Sequence, residues 1–353
     1  MRRFRNNIGL QTCGNDSAGV IRQSETTSSP GRAVMVRQAH HPERSRGTTP
    51  QVSENKRGFT IVELLTVMSI IIILIGILVP SLNMVRRYAT DVKQRAQFHS
   101  IEAALELFKN EFEGYPDSAY KQYELDEGGS SYPGAARLCE AMVGGDFLGF
   151  HPSSRFRCDG AGSLTDLKNL YVETAWPGAG EWENNLRSRK GPYLQLERAN
   201  AYKLSDIYGG LVTGCLASKI VLCDEYARVK NISTGKKIGM PVLYYKANTS
   251  GVIHDSNTAY LPVDGDNKDQ FYNYLDNHYL VGFGMPWNPP TAQGGTPAHP
   301  MFTEPKRFYE STKNEKITIS DGRPYRADSY ILISAGFDGQ YGTPDDIFNF
   351  IKE

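Results

Sequence analysis

The longest apolar run of the chain extends from Ile61 to Leu82, and Glu63 is the only charged residue among these 22. An α-helix rises ~1.5 Å per residue, so this run would extend roughly 33 Å, whereas the apolar core of a bilayer is about 30 Å thick. The pattern therefore predicts a membrane-spanning helix. A carboxylate is costly inside such a helix, which favours a functional role for Glu63.

The helical pattern continues beyond Pro80 as an amphipathic segment. Apolar residues recur mostly at steps of three or four, charged residues fill the opposite face, and Gly114 and Pro116 end the pattern. We predict one helix of about 50 residues whose second half packs on a globular domain. Proline removes one intrahelical hydrogen bond, so we expect a kink or local loosening at Pro80.

Two basic residues and a glycine, Lys56-Arg57-Gly58, directly precede the apolar run. The stretch that follows the cations, GFTIVELL, resembles the processing signature of type IV pilins and type II secretion pseudopilins. In that family a prepilin peptidase cuts after the glycine and methylates the new N-terminal residue. The resemblance implies cleavage after Gly58, N-methylation of Phe59 and a role for Glu63 in assembly.

The charges at this junction support the same interpretation. A free amine on Phe59 would lie four residues before Glu63, and opposite charges that neutralise each other lower the cost of entering a membrane. In the resembled family the pairing is thought to join neighbouring subunits. The alternative is a Glu63 that only marks the membrane surface. A secretory signal peptide fits less well, because the run is long and no Ala-x-Ala site follows it.

Five regions are predicted. Residues 1–58 are a polar leader that is disordered and removed on processing, although translation starting at Val52 would shorten this leader. Residues 59–82 form the transmembrane and assembly helix, and residues 83–116 form its amphipathic continuation. Residues 117–325 are an enlarged globular head or insertion. Residues 326–353 form a C-terminal strand and loop.

The C-terminal loop is the second informative feature. Tyr330–Ser334 predicts a strand, and the glycine-rich segment AGFDGQYGTPDDI follows it. This segment resembles the calcium loop of the major pseudopilin of type II secretion. Calcium prefers six to eight oxygen ligands. The resemblance implies ligands at Asp338, Asp345 and Asp346, with Ser334 a weaker candidate, and calcium in a structural role. The alternative is an Asp-Gly turn with solvated acids.

The middle of the chain is less informative. Short strands are predicted at residues 239–246, 279–283 and 316–319, and short helices at 135–142 and 205–208. The predicted fold class is α+β, with the long N-terminal helix packed on a pilin-like antiparallel sheet that carries an elaborated insertion. Glycine clusters at 160–162 and 178–180, and the segment 288–300, are predicted loops.

Cysteine usage is compatible with an exported protein. Cys139, Cys158, Cys215 and Cys223 would remain after processing. Cys139–Cys158 with Cys215–Cys223 is the local pairing, and buried free thiols are the alternative. No nucleophile elbow, phosphate-binding loop or His-Glu-x-x-His motif occurs, so no enzyme is expected.

Two functions remain open. The first is a pilin-like structural subunit of a type II secretion pseudopilus or related filament for protein export. Its expected partners are other pilin or pseudopilin subunits, prepilin peptidase, an inner-membrane assembly platform and, before assembly, membrane lipid. The second is a membrane-anchored, exported binding module for a ligand such as a carbohydrate or a surface group. Basic residues before the run predict a single-pass inner-membrane protein with a cytoplasmic N-terminus and a periplasmic or extracellular head. The 39 basic and 39 acidic residues give no basis for nucleic-acid binding.

Overall fold

The computed structural model describes residues 58–119, 132–163, 165, 167–231, 233–255, 269–287, 297–317 and 322–352. The predicted leader, apart from Gly58, lies outside them. Contacts divide the chain into Met1–Ile61 and Val62–Glu353. Eight α-helices occur in the described residues: α1 Ile61–Phe112, α2 Gly134–Val143, α3 Glu181–Ser188, α4 Leu196–Ala199, α5 Leu204–Tyr208, α6 His278–Gly282, α7 Pro300–Thr303 and α8 Lys306–Thr312.

The predicted long helix is confirmed, because α1 comprises 52 residues and remains uninterrupted at Pro80. Its two halves differ in environment. Every residue from Ile61 to Ala89 is exposed, whereas the buried positions begin at Gln94 and recur to Phe108. The apolar run therefore projects from the head, and the amphipathic half lies in the core, as the change of pattern after Pro80 predicts.

Seven short strands form three antiparallel sheets in the described part of the chain. Their bounds are β1 Ala201–Lys203, β2 Ile220–Leu222, β3 Val229–Lys230, β4 Lys237–Ile238, β5 Leu243–Lys246, β6 Tyr330–Ser334 and β7 Ile347–Phe348. The largest sheet has the order β5-β6-β7, with Leu243 opposite Ile333 and Ser334 opposite Ile347. Long α1 and small antiparallel sheets together confirm the α+β class.

The β5-β6-β7 sheet is covered on both faces. Successive strand residues point to opposite sides, so β5 and β6 each supply two apolar sets. Tyr244, Tyr330 and Leu332 pack with α1 and α2 in one core cluster. Tyr245, Ile331 and Ile333 pack with residues of α5, α6 and α8 in a second cluster. The enlarged head thus supplies the cover for the face that α1 leaves open.

Side-chain contacts fix α1 to the head from Arg87 onward. The first is the Arg87 guanidinium, which lies 3.8 Å from the centre of the Phe337 ring. Three hydrogen bonds to the segment that follows β2 continue the attachment: Tyr226 Oη to Asp91 Oδ1 at 2.5 Å, Glu225 N to Gln94 Oε1 at 2.9 Å and Gln97 Nε2 to Cys223 O at 2.8 Å. Polar anchors therefore orient the helix where it leaves the apolar run.

The short-element predictions had mixed outcomes. The two predicted helices are confirmed by α2 and α5, and the C-terminal strand by β6. Within predicted strand 239–246 only Leu243–Lys246 is a strand. The predicted strand at 279–283 is wrong, since α6 occupies this segment. The Asn273 side chain accepts a hydrogen bond from Leu275 N and thereby starts the helical turn that leads into α6.

The predicted strand at 316–319 is also wrong as far as the structure describes it. Lys316 lies in a turn, where its N–H donates to Asn314 Oδ1, and residues 318–320 lie outside the described ranges. An asparagine side chain that bonds the backbone two residues on favours a turn over a strand. Of the predicted loop at 288–300, residues 288–296 also lie outside these ranges, and Pro300 begins α7.

The local cysteine pairing is wrong. A disulfide joins Cys158 to Cys215, with a Cα–Cα distance of 5.8 Å, while Cys139 and Cys223 are buried free thiols. The physical reason is that Cys139 on α2 packs with Leu222 of β2 in one core cluster, whereas Cys158 and Cys215 pack in the other. Burial raises the pKa of both thiols, which keeps them protonated and weakly reactive.

Candidate functional site

The predicted cleavage junction precedes α1 in an exposed segment. Gly58, Phe59 and Thr60 are non-helical, and the Phe59 side chain is 78% exposed. A Cβ added to Gly58 would meet no atom within 4 Å. The fold of this chain therefore does not require glycine at position 58, and a requirement for it would have to come from another molecule.

The exposed half of α1 has the properties of a membrane anchor. Among the described residues, α1 is the one helix that is long enough and apolar enough to cross a membrane. No residue of its most apolar stretch is buried by the rest of the protein. Glu63 is the acidic residue of the first helical turn. A negative charge there is favoured by the helix dipole, which offsets part of its cost in an apolar setting.

The C-terminal loop folds back on itself between β6 and β7. Gly336, Gly339 and Gly342 have φ values of 64°, 74° and 90°, in the left-handed region that glycine accepts without strain. A Cβ on Gly336 would lie 2.2 Å from the Asp345 carbonyl oxygen. The close approach brings the Asp338 backbone N–H to Asp345 Oδ2, at 2.9 Å. The structure thus places Asp338 and Asp345 side by side, as the sequence predicts.

The carboxylates of the loop are crowded. Burial is the main cause that raises the pKa of Asp346 well above its usual value, and the charges of Asp345 and Asp338 add to it, although the Gly342 N–H opposes the shift. Burial and then the Asp345 charge raise the pKa of Asp338, against a hydrogen bond from Gln340 N–H. A cation bound among these acids would relieve this repulsion.

The predicted calcium ligands fit a hard cation only in part. Asp346 Oδ1 is buried without a hydrogen-bond partner, which leaves one acceptor available. Asp345 is already engaged by Thr343 Oγ1 at 2.5 Å and by the Asp338 N–H. Across the described ranges, no three Asp, Glu, His or Cys side chains are grouped so as to hold a metal ion. Calcium at this loop stays a prediction that rests on donor chemistry.

The Ser334 hydroxyl, the weaker candidate ligand for calcium, donates to a core carboxylate. The acceptor is Asp224 Oδ2, at 2.8 Å. Asp224 also accepts from the N–H groups of Tyr226 and Met240, and burial raises its pKa to about 7. Sequence reasoning missed Asp224, because a single acid after an apolar strand carries no signal of burial. Asp224 lies between β6 and the segment after β2 that contacts α1, so its role is structural.

A buried histidine fastens the same loop to the rest of the head. His299 Nε2 donates to Gly284 O at 3.0 Å, and Nδ1 accepts from the Tyr341 N–H at 3.3 Å. This arrangement requires the neutral ring, because Nδ1 must keep a lone pair. Burial lowers the pKa of His299 from 6.5 to about 4.

His299 should therefore destabilise the protein in acid. The unfolded chain takes up a proton below pH 6.5 while the folded chain resists until about pH 4, so stability falls as pH falls through this window. We expect wild type to lose about 3 kcal/mol more than His299→Gln between pH 6.5 and 4. Urea unfolding at several pH values measures this difference. The titration of Asp224 affects both proteins equally, so it does not contribute to the difference. Equal pH slopes would contradict the prediction.

The comparisons with known proteins concern the N-terminal junction. Residues 54–79 match the family model described as the prokaryotic N-terminal methylation motif. The chain carries the methylation motif of type IV pilins and pseudopilins. This motif covers Gly58, Phe59 and Glu63 and ends one residue before Pro80. No curated protein and no solved structure matches the chain.

The methylation motif supports a pilin-like substrate of prepilin peptidase, and the apolar half of α1 fits a single-pass membrane anchor. The match contains 26 residues, so it concerns the junction and the apolar run and gives no information about the head. The C-terminal loop is separate in sequence from the motif. It nevertheless contacts α1 through Phe337 and Arg87, at the point where the helix enters the head.

Proposed function

We propose that this chain is a structural subunit of a type II secretion pseudopilus or a related filament that serves protein export. The observation that carries the proposal is a methylation motif that runs into a helix whose first 29 residues, Ile61 to Ala89, are exposed. In water this surface is unfavourable by roughly 25 cal/mol per Å² of apolar area. A membrane, and afterwards the helices of neighbouring subunits, would cover it.

Assembly would pair charges between subunits. Cleavage after Gly58 creates a cationic amine on Phe59, and Glu63 supplies the anion near the start of the helix. Both charges are costly in an apolar environment unless they meet an opposite charge. A neighbouring subunit whose amine meets Glu63 would satisfy both groups and would set the axial register of the helices.

The sequence around the junction supports an orientation. Lys56 and Arg57 precede the apolar run, and basic flanks favour the cytoplasmic side. The head would then be periplasmic or extracellular, where the Cys158–Cys215 disulfide is stable. Partners would be other pilin-like subunits, prepilin peptidase and an inner-membrane assembly platform. No step of this role requires catalysis by the chain.

Gly58→Ala tests the processing step. Because a Cβ at this position meets no atom of the chain, the variant should fold and insert normally while the peptidase fails to cleave it. N-terminal analysis of membrane-purified protein should show Phe59, N-methylated, in wild type and the uncleaved leader in the variant. A matched control is Gly76→Ala, at an unobstructed glycine within α1, which should be processed normally. Cleavage of Gly58→Ala at the wild-type rate would contradict the proposal.

We further propose that calcium binds the C-terminal loop through the carboxylates of Asp338, Asp345 and Asp346. When bound, calcium would supply positive charge that stabilises the loop. Support comes from the raised pKa values of Asp338 and Asp346 and from the unpartnered Asp346 Oδ1. The loop holds Phe337 against Arg87, so its order would bear on how α1 is fixed to the head.

Adding calcium and then removing it with a chelator tests this proposal. A ligand at 100 times its Kd stabilises the folded state by about 2.7 kcal/mol, so calcium should raise the thermal unfolding temperature of wild type and a chelator should reverse the rise. Asp345→Asn should abolish the calcium response. Glu183→Gln, which neutralises an exposed acid of α3, is the matched control and should retain it. A response that survives in Asp345→Asn would place calcium elsewhere.

A second function, a membrane-anchored binding module, is favoured by one observation. The enlarged head contains a cavity of about 370 Å³ between α2 and β2, in the region with no counterpart in the motif match. The two functions are compatible, since a filament subunit can also present a ligand site.

A further inference from the structure

The cavity lies in the enlarged head and has polar walls. Its lining comes from the end of α2, from the loop that precedes α3 and from the segment that joins β1 to β2. The Cys158–Cys215 disulfide joins the second and third of these walls, because Gly160 and Ser218 lie two and three residues beyond its two cysteines. The walls are therefore tied together covalently, which favours a site formed before ligand arrives.

The acids of the cavity already have protein partners. Glu140 is 3% exposed and accepts three hydroxyl hydrogen bonds, from Ser154 at 2.5 Å, Tyr171 at 2.8 Å and Tyr132 at 2.9 Å. The carboxylate of Asp146 pairs with the Arg189 guanidinium at 3.2 Å. Neither acid needs a cationic ligand.

The two lysines of the cavity have no such direct partner among the described residues. Lys219 and Lys203 both line it, and neither ammonium group forms a hydrogen bond or ion pair with a described residue. Lys219 is partly buried, and this burial lowers the pKa of its ammonium group. The negative charges of Glu140 and Asp159 raise this pKa but do not outweigh the effect of burial. A cation that loses water without gaining a direct partner is a position where an anion would bind favourably.

The remaining polar groups suit hydroxyls. A carboxylate has about four lone-pair positions, so Glu140 retains one on Oε2 after its three protein donors. Ser218, exposed at the edge of the cavity, donates its hydroxyl proton to Cys215 O at 3.0 Å and so adds a second acceptor for a ligand hydroxyl. The volume lies near the lower end of ligand sites, which are about 300–1,000 Å³, and so matches a ligand of one ring.

Backbone strain occurs in the same wall. Phe147 lines the cavity with a φ of 67°, a left-handed conformation that is unfavourable for an aromatic residue. Gly145 lies directly before Asp146 in this wall, and a Cβ there would lie 2.9 Å from the Tyr171 ring. Strain of this kind persists where the surrounding structure fixes it and is concentrated at ligand sites.

From these observations we propose that the cavity is a binding site for a small hydroxylated anion, such as a sugar acid or a sugar phosphate. Lys219 would pair with the anionic group, Lys203 would assist at the exposed side, and Glu140 would accept a hydrogen bond from a ligand hydroxyl. This site is distinct from the junction at Gly58 and does not depend on filament assembly.

Isothermal titration of the full chain in detergent tests the proposal with four probes: D-glucuronate, D-glucose 6-phosphate, D-glucose and inorganic phosphate. We expect one or both of the anionic sugars to bind with a Kd below about 1 mM, and glucose and phosphate to bind at least tenfold more weakly. The two anionic sugars distinguish a carboxylate ligand from a phosphate ligand. No binding by either, or equal binding of glucose, would overturn the proposal.

Variants locate the site. Lys219→Met keeps the aliphatic stem and should weaken binding about tenfold or more, since a hydrogen-bonded charge is removed. Lys237→Met, at the exposed residue of β4, is the matched control and should bind as wild type does. Ser218→Tyr, at the edge of the cavity, should block entry and gives a second test if Lys219→Met folds poorly. Wild-type affinity in both Lys219→Met and Ser218→Tyr would refute the assignment.

Discussion

Glu63→Leu is expected to abolish filament assembly while cleavage after Gly58 continues. The substitution removes the anion from the first turn of α1 and leaves the Phe59 amine of a neighbouring subunit without its counter-charge. Loss of one partner from a pair in an apolar setting costs about 3–5 kcal/mol, and the cost recurs at every subunit contact. Sheared filament fractions and the size of the membrane-bound protein measure assembly and processing in the same cells.

The control for this variant is Ser69→Leu, which adds similar apolar bulk at another exposed position of α1 without removing charge. It should assemble normally. Glu63→Asp should assemble in part, because the charge persists on a shorter side chain. If Glu63→Leu formed filaments in wild-type amounts, charge pairing would not be the basis of assembly.

The second large effect is expected from the disulfide. Cys158 and Cys215 are 57 residues apart in sequence, and a cross-link of this span restricts the unfolded chain by about 4 kcal/mol in the loop-entropy model. The double variant Cys158→Ser, Cys215→Ser should lose this amount in urea unfolding. The loss should be accompanied by weaker order in both cavity walls that the bond connects.

A reductant provides the matched control for the disulfide. It should lower the stability of wild type to that of the double variant and leave the double variant unchanged. Cys139 and Cys223 do not complicate the comparison, because both proteins contain them as thiols. A wild type indifferent to reductant under unfolding conditions would show that the cross-link does not form in the cell.

The sequence was sufficient for the elements whose physical signals are local and long. The apolar run and the amphipathic steps after Pro80 predict α1 almost to the residue, because 3.6-residue periodicity accumulates over many turns. The strand at Tyr330–Ser334 is equally clear, since five consecutive apolar or small residues are buried on both sides. Gly58, Phe59 and Glu63 were implied by the resemblance of this short local segment to the pilin processing signature, which the match over residues 54–79 supports.

Other features depend on contacts between distant segments and left no local signal. Leu280 and Val281 have the composition of a strand, yet the Asn273 cap sets a helical turn before them. Pairing of Cys158 with Cys215 depends on where α2 places Cys139, which spacing does not reveal. The three hydroxyls around Glu140 come from positions 8, 14 and 31 residues away, so the cavity could be recognised only in three dimensions.

The sheet that is buried on both sides has a consequence for how this head could be shortened. Deleting the large insertion would leave Tyr245, Ile331 and Ile333 facing water, and each such side chain is worth roughly 1.5–3 kcal/mol when covered. A shortened head without this segment would therefore expose apolar surface and associate with other chains instead of remaining monomeric. The segment that contains α5, α6 and α8 is an integral half of the hydrophobic interior, so a head without it would need polar residues on that face of the sheet.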